Sequence, residues 1–90
     1  MRVGSTETLM ARLRSEASSC YSWSNGPSTR YSDHSHGYEK VLYCVDGSIT
    51  FRLGERDLRL QSGDRLVIPA GTVHSALVGP VGVTCIEGQR

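Results

Sequence analysis

Residues 33–47 read D-H-S-H-G-Y-E-K-V-L-Y-C-V-D-G, and this stretch holds two of the chain's three histidines and its only lysine. In an extended chain, residues two apart face the same way. His34 and His36 therefore project side by side, the spacing at which one rigid element offers two imidazoles to a metal. The third histidine, His74, closes a second stretch, residues 63–74, reading G-D-R-L-V-I-P-A-G-T-V-H. Its Pro69-Ala70-Gly71 turn can bring the following strand back beside the first. Three imidazoles around one point leave open positions on a divalent ion, as in reactive rather than closed structural sites.

Outward from these stretches the pattern is that of strands. Lys40 to Val45 is strongly strand-like, and Asp46-Gly47 is the strongest short hairpin signal in the chain. Ser48 to Leu53 alternates, with Ile49, Phe51 and Leu53 on one face. Arg56 to Leu60 points Leu58 and Leu60 inward, and Arg65 to Ile68 does the same with Leu66 and Ile68. Val73 to Val78, a Gly79-Pro80 turn and Val81 to Glu87 complete the series. Before the first motif, Cys20 to Ser24 is a short aromatic strand, and Thr29 to His36 is extended. Only Thr6 to Ala17 reads as a helix, with Leu9 and Leu13 four apart on one face. Short strands separated by Gly/Pro turns predict an all-β sandwich or barrel preceded by a short helix.

Composition narrows the function classes. Ninety residues make one domain, with a helix over about 6–17 and a barrel over about 19–87. A formal net charge of +1 gives no electrostatic case for nucleic acid or an anionic membrane surface. No apolar run approaches the roughly 20 residues of a membrane span. The charged N-terminal residues Arg2, Glu7, Arg12 and Arg14 do not read as a signal peptide, so a cytoplasmic location is expected. Cys20, Cys44 and Cys85 lie at wide spacings, two of them in apolar strands, as reduced buried thiols do.

The two histidine stretches resemble the paired motifs of the cupin superfamily. The first motif is His-x-His, three or four residues, Glu, six residues and Gly; His34, His36 and Gly47 fit it. The second is Gly, five residues, Pro-x-Gly, two residues, His, three residues and Asn; Gly63, Pro69, Gly71 and His74 fit it, and Val78 stands where Asn is usual. The resemblance spans about Arg30 to Glu87. It implies a small jelly-roll β-barrel whose histidines and glutamate hold a divalent ion of iron, manganese, zinc, nickel or copper. It also implies a small-molecule ligand or substrate and a homodimer.

One departure bears on the site. Counted back from Gly47, the family's Glu falls on Lys40, with Glu39 one place early. Strand parity puts Lys40 with His34 and His36, and Glu39 with Val41 and Tyr43. An ammonium has no lone pair to give a metal, and about 4 Å from a divalent ion it is repelled by several kcal/mol. Three arrangements follow. His34, His36 and His74 hold the metal and Lys40 stands aside; a bulge at Gly37-Tyr38 turns Glu39 inward as a fourth ligand; or no metal is held, and Lys40 and the histidines form a polar or anion-binding pocket. Tyr31, Tyr38, Trp23 and Tyr43 are candidates for the mouth of the barrel.

Cupins include dioxygenases, isomerases, epimerases, decarboxylases and sugar-binding regulatory domains, so the fold leaves the reaction open. The first functional expectation is a small metal-dependent enzyme with dioxygenase-type chemistry, in which Lys40 steers an anionic substrate or stabilises an enolate. The alternative is a non-catalytic module that binds or senses a small sugar or organic acid.

Overall fold

Two long strands carry the architecture in the computed structural model, which describes residues 6–90. They are β3, Lys40–Leu53, and β6, His74–Gln89. They pair antiparallel along their whole length, from Lys40 opposite Gln89 to Leu53 opposite His74. Around them lie α1 (Thr6–Glu16), β1 (Ser18–Asn25), β2 (Arg30–His34), β4 (Arg56–Gln61) and β5 (Arg65–Ile68).

Each long strand serves two layers. The first half of β3 lies between β5 and the second half of β6, which pairs onward with β1. The second half of β3 lies between β4 and the first half of β6, which pairs onward with β2. Two four-stranded antiparallel layers result, β1-β6-β3-β5 and β2-β6-β3-β4. They face each other across one core of Leu42, Cys44, Ile68 and Cys85 from the first layer and Ile49, Phe51, Leu60 and Val78 from the second. This is the jelly-roll arrangement.

The chain does not reverse at Asp46-Gly47 or at Gly79-Pro80, contrary to the turn composition. A two-residue type I′ hairpin needs positive φ at both central residues. Gly47 has φ +74° and Asp46 is not in that region. The glycine instead marks a bend where two backbones touch. A Cβ there would stand 2.0 Å from the carbonyl oxygen of Gly82. Gly79-Pro80-Val81-Gly82 is a four-residue excursion of β6 opposite the single residue Ser48 of β3, since Gly47 pairs with Val83 and Ile49 with Val78. Both signals are bulges that fold one long ribbon over on itself. They turn two uninterrupted strands into a sandwich.

The helix covers the outer face of the first layer. Leu9 and Leu13 are buried against Val41, Tyr43, Val45 and Ile86. Each buried leucine contributes about 1.5–3 kcal/mol. The first half of β3 is thus buried on both faces. The helix end is tied down through Glu16, which accepts the Tyr43 hydroxyl at 2.6 Å and pairs with Arg65 and Arg90. Tyr43 therefore faces the helix and not the mouth of the barrel, the reverse of its expected place. Arg65 on β5 is partly exposed and pairs with the same carboxylate. All three cysteines are free, with Cys44 and Cys85 opposite one another in the core.

Two substitutions test the bend. Gly54 also has positive φ (+61°) but has open space at its Cβ position. Gly54→Ala should cost about 1–2 kcal/mol for the left-handed backbone alone. Gly47→Ala adds the clash with Gly82 and should cost at least twice as much in urea denaturation. Equal costs would mean that the close approach of the two strands carries no weight.

Candidate metal centre

The site is assembled by β2, β6 and the turn before β6. His34 on β2 and His74 on β6 are direct partners in the antiparallel ladder. His36 lies two residues past the end of β2, and its carbonyl accepts the Gly71 N–H at 2.8 Å. The Pro69-Ala70-Gly71 turn thus anchors the backbone at His36 as it delivers His74. The ring centroids of His34 stand 4.2 Å from His74 and 5.0 Å from His36, with His36 and His74 5.4 Å apart. One nitrogen from each ring lies within 4.8 Å of the others.

The rings present the atoms a metal needs. His34 Nδ1 lies 2.7 Å from the Ser32 carbonyl oxygen, and His74 Nδ1 lies 2.9 Å from that of Thr72. A carbonyl oxygen can only accept, so each ring carries its proton on Nδ1 and its lone pair on Nε2. The Nε2 atoms of His36 and His74 are buried and find no hydrogen-bond partner among the described residues. An unsatisfied buried polar atom costs about 1–3 kcal/mol, and here two belong to one imidazole cluster. Three imidazole nitrogen donors, two of them with the tautomer fixed by a backbone carbonyl, fit a divalent first-row ion.

Electrostatics disfavour the protonated forms of His36 and His74. Burial pushes the pKa of His36 below the usual histidine value, and the charge of Lys40 lowers it further. Burial also lowers that of His74, against a smaller opposing effect of its bond to Thr72. Tyr38 stacks obliquely on His36 at 5.0 Å, and Phe51 lies 6.4 Å from His74.

Glu39 and Lys40 go to opposite sides of β3. Glu39 accepts from Arg90 Nε at 2.6 Å and is not part of the imidazole group. Lys40 is buried on the inner face, its Nζ 3.3 Å from Glu87 Oε2. Glu87 is the residue that sequence reasoning missed. Its carboxylate also accepts the Tyr21 hydroxyl at 3.0 Å and the Trp23 indole N–H at 2.8 Å. Burial and the Glu87 charge push Tyr21 up to about 12, so it stays a neutral donor. The missed signal was parity: Val83, Cys85 and Glu87 share one face of the last strand, so a carboxylate stood at an inward position.

Lys40, Glu87 and His34 open onto a cavity of about 290 Å³. Trp23, Tyr31 and Phe51 contribute flat apolar walls. Of the aromatics expected at the mouth, Trp23 and Tyr31 line this cavity, and Tyr38 stands beside His36.

Comparison with known proteins agrees with this architecture. Residues 24–80 match the model of the Cupin domain family, and the chain belongs to that family. It is 41% identical over 54 residues to quercetin 2,3-dioxygenase of Bacillus subtilis, covering 58% of this chain and 16% of that protein. It is 37% identical over 49 residues to acireductone dioxygenase 1 of Vitis vinifera, covering 49% and 26%. The chain therefore spans about a quarter or less of these relatives. Among solved structures, the DMSP lyase DddQ of Ruegeria pomeroyi superposes with a TM-score of 0.73 at 22% identity, over 79% of this chain and 36% of that one. At that identity the likeness is one of fold.

The depressed histidines predict a pH dependence for the metal-free protein. The unfolded chain takes up protons at the ordinary histidine value while folded His36 and His74 resist them. Stability should be full above about pH 6.5 and fall as pH drops below it. Histidine NMR titrations should give two midpoints below the ordinary value. Midpoints at or above it would contradict the buried, neutral assignment.

Proposed function

We propose that this chain is a cupin whose His34, His36 and His74 hold one divalent metal ion through their Nε2 atoms and whose adjoining cavity binds a small substrate for dioxygenase-type chemistry. The clustering of the three imidazoles, two of which have a buried Nε2 with no partner among the described residues, carries this reading. When bound, such an ion supplies a Lewis acid with coordination positions left over for substrate. The protein's own groups do the rest. Ser32 and Thr72 fix two of the imidazoles, Trp23, Tyr31 and Phe51 shed water from a flat substrate, and Lys40 brings a positive charge to its oxygen atoms. The partial likeness to quercetin and acireductone dioxygenases supports the reaction class.

A second reading has its own support. The family pattern puts a carboxylate at position 40, and this chain buries a lysine there, bonded to Glu87. A barrel so altered suits a non-catalytic module that holds a small organic acid.

Metal analysis of untagged protein should find about one equivalent of a divalent metal, or one equivalent taken up from iron, manganese, zinc, nickel or copper. His36→Ala and His74→Ala should each reduce uptake at least tenfold, while Glu39→Gln leaves it unchanged. Protein that stays empty with every metal sinks the metal reading. Oxygen uptake with quercetin and acireductone should require His34 and His74; ligand binding without turnover favours the module.

A further inference from the structure

The buried Lys40–Glu87 pair has no evident stabilising purpose. Removing two charges from water costs several kcal/mol per ion, and an apolar pair of similar volume does as well or better. Here the carboxylate is held by three donors from three residues, at 2.8, 3.0 and 3.3 Å. Tyr21 and Trp23 come from β1 and Glu87 from β6, all fixed by the ladder that pairs Tyr21 with Glu87 and Trp23 with Cys85. The result is a rigid counter-ion that keeps an ammonium inside the barrel. That ammonium has three N–H donors, and the carboxylate occupies one direction. Lys40 lines the same cavity as His34, Trp23 and Phe51.

A charge count points the same way. Neutral imidazoles contribute nothing, and Lys40 and Glu87 cancel. A dication bound by the three histidines would keep its full charge, because no carboxylate of the described residues joins that group. Such a site is completed by an anion. The cavity is at the small end of ligand pockets, with flat apolar walls.

We infer that Lys40 is the specificity-determining residue of the cavity, and that the cavity takes a small planar organic anion, a carboxylate or enolate on an unsaturated body, with its charged oxygen on the Lys40 ammonium. This deepens the substrate side of the function proposed above and rests on the cavity being the substrate site; it does not need the metal to be bound.

Calorimetric titration of the full chain, metal-free and zinc-loaded, with benzoate and its neutral isostere benzamide tests it. Metal-free wild type should prefer benzoate at least tenfold, and zinc should increase the preference. Lys40→Met should reduce the preference in metal-free protein to twofold or less with zinc stoichiometry unchanged. The double variant Lys40→Met/Glu87→Gln removes both charges and should behave the same, which covers the case in which the single variant, with its unpaired Glu87, fails to fold. Equal binding of benzoate and benzamide to wild type would overturn the inference. So would an undiminished preference in both variants. Failure to take up zinc would count against the metal reading alone, since the metal-free arm still decides the role of Lys40.

Discussion

The pairing of β3 with β6 is the constraint on which the rest depends. One ladder runs from Lys40 opposite Gln89 to Leu53 opposite His74. Its first half carries Lys40 near Glu87 and its second half carries His74 to the neighbouring β2. The ribbon bends where Gly47 and Gly82 meet, so the two halves lie face to face and the groups they carry share one interior. A residue with a Cβ at position 47 would push the two backbones apart. The site then inherits its geometry from the sheet. His34 faces His74 because they are register partners, and His36 is fixed by the Gly71 N–H on its carbonyl.

Burial then sets the chemistry. His74 is almost wholly excluded from solvent, which disfavours its protonated form, and its Nε2 finds no partner among the described residues. The same exclusion makes the Lys40 charge felt at His36. A low-dielectric interior strengthens both effects. Imidazole nitrogen donors beside a Lys40–Glu87 pair whose charges cancel leave the charge of a bound dication to be offset from outside the chain. The metal reading and the anion reading are therefore electrostatically linked, although they are separately testable.

Much of this was legible in the sequence, for physical reasons. Period-two alternation alone put Lys40 on the face of His34 and His36 and Glu39 on the face of Val41, and the side chains lie on those sides. The second histidine stretch was readable because a Pro-x-Gly turn has few conformations open to it. What could not be read was long-range. Asp46-Gly47 and Gly79-Pro80 have the composition of reversals, yet each is a bulge, because a partner strand distant in sequence holds the chain extended on both sides. Tyr43 has an aromatic ring suited to a mouth, but a carboxylate from the helix claims its hydroxyl. In the sequence Glu87 is only the last residue of the last strand. Only the ladder shows that β1 brings it two donors and β3 brings it Lys40.

X-ray absorption spectroscopy of protein loaded with one equivalent of zinc tests the central claim most directly. The account predicts three imidazole nitrogen scatterers at about 2.0–2.1 Å, with only oxygen or nitrogen completing the shell. A sulfur shell at about 2.3 Å, or a spectrum without imidazole scattering, would contradict it.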